Sequence, residues 1–360
     1  MEGSIIVNNR QYSFTEFSNL SLENLPVFAH PSHSFIKLWL TGKEDFEIHT
    51  SGSTGTPKII QVSRAQMIAS ATNTIEGLVL EPGLDALLAM STERIGGIMM
   101  LVRALIGKWN LVLEQPSRDL SEILKKRSFD FTALVPLQVQ SLIDKGHKTA
   151  LESVECIIIG GADLNEGLTT ELNTYKNRVY HTYGMTETIS HIALRKISQN
   201  ESTPWFTVIG DNQVDCNEEG CLKVKGKVTN NTWIETNDLI DLDNNRFRWL
   251  GRVDLVINTG GVKLQIEEIE KDLQKLVPNH LHGNLCIWKR LDNELGEKVV
   301  CICDDADLIQ YFSDHQEELK AGFPKYAWPK KWHHIPSLIL TASGKIDRVN
   351  SLAQSIPVST

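Results

Sequence analysis

Along the first half of the chain, short apolar runs alternate with stretches whose apolar residues recur every three or four positions. That alternation predicts strands and helices in turn, hence an α/β fold with a largely parallel sheet. Residues 1–45 carry mixed short segments and end in a helix, Ser34 to Leu40. Ser63 is placed to cap a helix from Arg64 to about Glu76. The apolar run Leu84 to Met90 is followed by a Gly96-Gly97 step and a helix from about Ile98 to Ile106, then the strand Leu111-Val112-Leu113. Leu120 to Arg127 reads as a helix and Phe131 to Val135 as a strand. Pro136 opens a helix to about Asp144. Val154 to Ile159 is a strand that ends at Gly160-Gly161. A helix follows Asn165, and another strand ends near Thr182. Runs that are apolar on both faces are what buried parallel strands need.

After Ile197 the texture changes to short strands separated by turn residues such as Glu218-Glu219-Gly220 and Asp243-Asn244-Asn245. This predicts a small β-rich subdomain over about 198–250. A further unit starts after Gly251. It has a Gly260-Gly261 turn and a helix from Gln265 to Leu276 with Ile266, Ile269, Leu273 and Leu276 on one face. Paired strands and a last helix follow. The expected organisation is an N-terminal α/β domain over 1–253 and a C-terminal α+β domain over 254–360.

Composition narrows the class. With 360 residues, 41% hydrophobic and 22% charged, the chain is long and apolar enough for packed cores in two or three domains. A net charge of −9 argues against a dedicated nucleic-acid binder, without excluding a nucleotide substrate. The six cysteines form no C-x-x-C pair, so reduced core thiols are expected and a structural zinc is not. No run approaches the ~18 apolar residues of a membrane helix. A soluble, cytoplasmic protein without membrane insertion is expected.

Five segments carry chemistry. Thr50-Ser51-Gly52-Ser53-Thr54-Gly55-Thr56-Pro57-Lys58 combines glycines, hydroxyls and a lysine, as a phosphate-holding loop does. Its spacing is not G-x-x-x-x-G-K-[ST]. Gly160-Gly161-Ala162 follows a strand end, where open α/β sheets bind ligands. Tyr183-Gly184-Met185-Thr186-Glu187-Thr188 puts a carboxylate beside a hydroxyl at another strand end, suited to Mg²⁺ near phosphates. Asp238 can accept from ribose hydroxyls, and Gly251-Arg252-Val253-Asp254 follows it. Ser343-Gly344-Lys345-Ile346-Asp347-Arg348 places a lysine on a small glycine-flanked loop.

In order and spacing these segments, over roughly residues 48 to 350, resemble the adenylate-forming superfamily of acyl-CoA ligases, amino-acid adenylation domains and luciferases. The resemblance implies that Thr50, Ser51, Gly52, Ser53, Thr54, Gly55, Thr56 and Lys58 hold the ATP phosphates. It implies that Gly160, Gly161, Ala162 and Tyr183 face the adenine or the acyl pocket, and that Asp238 and Arg252 serve the ribose. Thr186 and Glu187 would be catalytic, with Glu187 on Mg²⁺. Lys345 would reach the α-phosphate and the substrate carboxylate. Asp254 would be the hinge of a mobile C-terminal domain, and Gly260 and Gly261 would line the CoA tunnel. ATP and CoA are then substrates alongside a small carboxylic acid, and a homodimer is common among such ligases.

Two features are particular to this chain. Only 49 residues precede Thr50, which implies a reduced first N-terminal layer. The stretch Glu93 to Leu105 resembles compact o-succinylbenzoate–CoA ligases of menaquinone biosynthesis. A second carboxylate on the acid would need a cation away from the reacting end, and Arg94, with Ser91, Thr92 and Gly184, is the expected acyl-binding set. The other readings are a ligase for another aryl or short-chain acid and a non-catalytic acyl-adenylate-binding module. The module reading predicts losses at Glu187, Asp238 or Lys345, and all three residues are present.

Overall fold

The computed structural model describes residues 2–49, 59–278, 281, 283–340 and 346–358. The expected phosphate loop, Thr50 to Lys58, and the expected catalytic Lys345 lie outside the described residues. Ile59–Thr236 and Ile240–Trp249 group with the N-terminal residues into one compact unit; Asn237–Leu239 and the residues from Leu250 onward form a second.

The first unit is built on a large twisted sheet. Its parallel part runs Arg178–Gly184, Val154–Ile159, Phe129–Leu134, Asp85–Leu88, Asn110–Leu113 and Ser4–Val7 in spatial order. The helices Ile95–Gly107, Ser121–Lys126, Pro136–Asp144 and Glu166–Asn173 make the crossovers. Alternate residues of one strand feed different cores. Cys156 and Ile158 join the cluster that contains Phe131 and Met99, while Ile157 and Ile159 join the one that contains Leu134 and Leu168. Burial on both faces explains why these strands read as unbroken apolar runs.

Helix boundaries follow local chemistry. Ser63 accepts from Gln66 N and completes a capping box at the start of Arg64–Gly77. Asn165 caps Glu166–Asn173 by accepting from Leu168 N. The helix expected from Ile98 instead begins at Ile95 and takes in both glycines of the Gly96-Gly97 step. The cause is a close approach: a Cβ on Gly97 would lie 2.3 Å from the Ser91 carbonyl oxygen. Packing therefore overrides the poor helix propensity of glycine.

The segment expected to be a separate β-rich subdomain, about 198–250, is continuous with the main sheet. His191–Lys196 pairs antiparallel with Arg178–Gly184, and Trp205–Val208 pairs with His191–Lys196. Arg246–Arg252, Ile234–Asp243, Cys221–Lys225 and Gln213–Cys216 then extend the sheet to its edge. Each added strand covers the exposed backbone edge of the one before. The hairpin Asp45–His49 with Ile59–Ser63, which flanks the expected phosphate loop, and the short helix Lys148–Glu152 have no counterpart in the sequence reading.

The second unit has its own sheet and core. Val256–Thr259 and Val262–Gln265 pair so that Thr259 faces Val262, and Gly260 and Gly261 turn the chain at φ of 56° and 80°. Both are left-handed values that suit glycine. The helix Ile266–Lys275 buries Ile266, Ile269 and Leu273. The hairpin Leu285–Asp292 with Gly296–Cys303 leads, in parallel, to Lys331–His334. Cys301 and Cys303 are fully buried on this hairpin, and burial pushes both thiols up, that of Cys303 to about 11. All six cysteines are free. Among the described residues no helix is long and apolar enough to cross a membrane.

Candidate active site

In the first unit, two adjacent strand ends carry the expected base-binding residues. Gly160 N donates to the Leu134 carbonyl at 3.1 Å as the chain leaves Val154–Ile159. The Thr182 hydroxyl donates to the Ile159 carbonyl at 3.2 Å, and a Cβ on Gly160 would lie 2.3 Å from that hydroxyl. Gly161 has φ of 89°, so the two glycines answer separate constraints, one of space and one of backbone conformation. Tyr183 stands edge-on to Phe206 and Phe247, at 5.9 and 5.0 Å between centroids. Those contacts hold its ring in place.

The strand Arg178–Gly184 ends where a Cβ on Gly184 would lie 2.2 Å from the Ser190 carbonyl oxygen. Gly184 is therefore required for packing, and offers no side chain to an acid. The turn Thr186–Thr188 is pinned by the Thr188 hydroxyl, which donates to Ser190 O at 2.8 Å and accepts from Met185 N at 3.0 Å. Glu187 projects from this turn and is exposed. Among the described residues no cluster of three or more metal-ligating side chains occurs. Mg²⁺ needs only one or two carboxylates beside substrate phosphates and water, so a single exposed Glu187 fits that donor set.

Sequence reasoning missed the most telling group. Arg103, on the helix Ile95–Gly107, is 1% exposed. Its Nη2 donates to the Ser190 hydroxyl at 3.0 Å, and its Nε is buried with no partner among the described residues. Ser190 Oγ stands 3.4 Å from His191 Nδ1, and His191 Nε2 is 3.1 Å from the Thr74 hydroxyl. Thr74 Oγ1 already donates to Ser70 O at 3.0 Å, so it accepts from His191 Nε2–H. His191 Nδ1 is then an acceptor for the Ser190 proton, and Ser190 in turn accepts from Arg103. The chain runs from a cation to a backbone carbonyl through neutral groups only. Burial, then the Arg103 charge, holds His191 neutral; burial alone brings the Arg103 guanidinium down to about 9. A buried cation without a counter-charge is costly, and among the described residues Arg103 has no carboxylate partner.

The expected acyl-binding cation, Arg94, is placed elsewhere. It is exposed at the N-cap of the same helix. The Thr92 hydroxyl is buried against Ser32 Oγ at 2.9 Å, and Ser91 sits beside Glu93 at the surface. Arg103 lies at i+4 from Met99 and i+3 from Met100, on the helix's buried face. That spacing is the signal by which the sequence could have revealed it.

In the second unit Arg252 is clamped by Asp254, with Nε to Oδ1 and Nη2 to Oδ2 both at 2.9 Å. Its Nη1 lies 3.8 Å from Asp238 Oδ1. Three of the expected residues thus form one charged group. The Asp254 bonds raise the Arg252 pKa. Burial works to raise the Asp254 carboxyl, but the bonds from Arg252 and Asn237 carry it below its ordinary range. Asp238 is 13% exposed, held with its carboxylate near a guanidinium. A Cβ on Gly261 would meet nothing within 4 Å, so its conformation, at φ of 80°, and not crowding, calls for glycine.

The fold is an open parallel sheet with glycine turns at its strand ends, the place where such sheets bind ligands. The AMP-binding enzyme family matches residues 46–215. A solved structure from Dyadobacter fermentans, described as an acyl-CoA synthetase (AMP-forming)/AMP-acid ligase II-like protein, is 32% identical, with a TM-score of 0.65 and coverage of 95% of this chain and 98% of that one. The chain belongs to this family of AMP-forming acyl-CoA synthetases. Among curated relatives, the 2-succinylbenzoate–CoA ligase of Staphylococcus epidermidis is 26% identical over 335 residues, covering 83% of this chain and 67% of that protein. An o-succinylbenzoate CoA synthetase of Bacillus subtilis, solved with the acyl-adenylate OSB-AMP, shares the fold at TM-score 0.72 and 22% identity, covering 87% and 70%.

Buried histidines set an acid limit on this fold. Burial lowers His33 and His191, and brings His181 and His333 down to about 4. Each is neutral when folded and takes up a proton at about 6.5 when unfolded. Below about 6.5 the unfolded chain binds more protons at these sites, so the stability they contribute is complete above pH 6.5 and is lost as pH falls, down to about 4 for His181 and His333. Both ring nitrogens of His333 are buried without a described partner. Unfolding free energies from urea titrations between pH 7 and 5 are expected to fall, by up to ~1.4 kcal/mol per histidine per pH unit. His333→Leu is expected to flatten that slope; an unchanged slope would contradict the account.

Proposed function

We propose that this protein activates 2-succinylbenzoate with ATP as an acyl-adenylate, releases pyrophosphate, and transfers the acyl group to CoA. The observation that carries the choice of acid is Arg103. A buried guanidinium with an unsatisfied Nε calls for a carboxylate that is not the reacting one. 2-Succinylbenzoate has one carboxylate to spare, and a simple aryl acid does not. The names of the curated relatives support the same substrate.

Each residue then has a task. Thr50 to Lys58 hold the departing pyrophosphate. Gly160, Gly161, Ala162 and Tyr183 receive the base, and Asp238, steadied by Arg252, accepts from the ribose hydroxyls. Arg103, steadied by Ser190, holds the remote carboxylate and so orients the acid for in-line attack on the α-phosphorus. Lys345 offsets the repulsion between carboxylate and phosphate and stabilises the charge that develops. Mg²⁺, held with Glu187, supplies charge neutralisation at the phosphates when bound. Residues Gly260 and Gly261 accompany CoA in the second step, after Asp254 has acted as the hinge.

A pyrophosphate-release screen over carboxylic acids, with and without CoA, tests this reading. Pyrophosphate and AMP are expected, with 2-succinylbenzoate preferred and its CoA thioester formed only when CoA is added. ADP as the product, or a preference for monocarboxylic aryl acids, would overturn it.

A further inference from the structure

The turn that receives the base has a second support that the reaction as described does not use. His181 is 5% exposed and lies opposite Arg195 on the paired antiparallel strands. Arg195 Nη2 is 3.0 Å from His181 Nδ1, and His181 Nε2 is 3.2 Å from the Ala162 carbonyl oxygen. A guanidinium can only donate, so Nδ1 is the acceptor. The proton therefore sits on Nε2 and is donated to Ala162. Phe206 backs both groups, with its ring 5.3 Å from the imidazole and 5.1 Å from the guanidinium carbon.

This arrangement sets the direction of one peptide. In a trans peptide the carbonyl and the following N–H point opposite ways. With the Ala162 carbonyl turned to His181, the Asp163 N–H faces away from it. Among the described residues the N–H groups of Gly161, Ala162 and Asp163 make no hydrogen bond to protein. The turn thus keeps its backbone donors in reserve while one carbonyl is tied down from behind.

We propose that His181, fixed in its Nε2–H form by Arg195, is a positioning residue for ATP: it sets the 160–163 turn so that its backbone reads the edge of the adenine. The proposal rests on the adenylate-forming reading of that turn. It separates His181 from groups that touch the acid, because among the described residues its hydrogen bonds go to Arg195 and Ala162.

The experiment measures ATP-dependent pyrophosphate release in the full-length protein. His181→Leu removes both bonds. His181→Gln keeps an amide donor for Ala162 and an acyl oxygen for Arg195. The leucine variant is expected to raise the KM for ATP about 10-fold, the scale of one lost buried hydrogen bond. The KM for the acid should change less than about 2-fold on the same scale. The preference for ATP over GTP should shrink in the leucine variant and recover in the glutamine variant. Arg195→Met, at a half-buried position, keeps the test open if the leucine variant does not fold; it should raise the ATP KM in the same direction. An unchanged ATP KM and ATP/GTP ratio in the leucine or methionine variant overturns the proposal, as does an equal rise in the KM values for ATP and the acid. Absence of pyrophosphate release in the wild type would instead count against the ligase reading itself.

Discussion

Arg103→Leu is expected to raise the KM for 2-succinylbenzoate on the order of 100-fold or more, because truncating one partner of a desolvated charge pair costs several kcal/mol. The comparison that isolates the charge uses 4-oxo-4-phenylbutanoate, which keeps the succinyl carboxylate and lacks the one on the ring. The wild type should discriminate strongly between the two acids, and the leucine variant should lose most of that discrimination. Its KM for ATP should stay near the wild-type value, since Arg103 touches Ser190 and no expected nucleotide residue. Arg94→Ala, at an exposed N-cap, should change neither acid's KM beyond about 2-fold, within the range usual for surface substitutions. Undiminished discrimination in Arg103→Leu would remove the basis for assigning a dicarboxylate.

The same substitution carries a second signature. Without substrate, Arg103 is a buried cation whose Nε has no described partner. Replacing such a charge with an apolar side chain is commonly neutral or stabilising. The leucine variant should therefore melt no lower than the wild type in the absence of acid. It should lose the rise in melting temperature that saturating 2-succinylbenzoate gives the wild type through mass action. A residue needed only for packing would lower both melting temperatures together.

Why Arg94 stood out in the sequence and Arg103 did not is a matter of what a linear pattern carries. Arg94 sits among polar residues just before an apolar helix, where a cation looks available. Arg103 sits inside Met99 to Leu105, where hydrophobic context suggests core. Only the three-dimensional path of the strand end to Ser190 shows what its guanidinium meets. The parallel strands were legible because residues such as Cys156 to Ile159 are buried on both faces, which leaves an unbroken apolar run. The continuity of Trp205–Val208 and later strands with the main sheet was not, because edge-to-edge pairing uses backbone groups that every sequence shares. The glycines at 160 and 161 were legible as a turn. That one of them answers crowding by Thr182 and the other a positive φ required coordinates.

Lys345→Ala is expected to slow acyl-adenylate formation on the order of 100- to 1000-fold, the usual cost of removing a preorganised charge-stabilising group. Lys345 lies outside the described residues, so this expectation rests on the chemistry its motif implies. Adenylation brings an anionic carboxylate against an anionic phosphate, and a lysine between them lowers that barrier. Thioester formation meets a different problem. A CoA thiol attacks an already activated carbonyl, and AMP is a good leaving group that needs no further activation by that lysine. The variant should therefore convert supplied 2-succinylbenzoyl-AMP and CoA to thioester at nearly the wild-type rate. Single-turnover measurement of each half-reaction separates the two steps. A proportionate loss in both would mean that Lys345 serves the second step as well, and that the two steps do not divide their side chains between separate arrangements of the C-terminal domain.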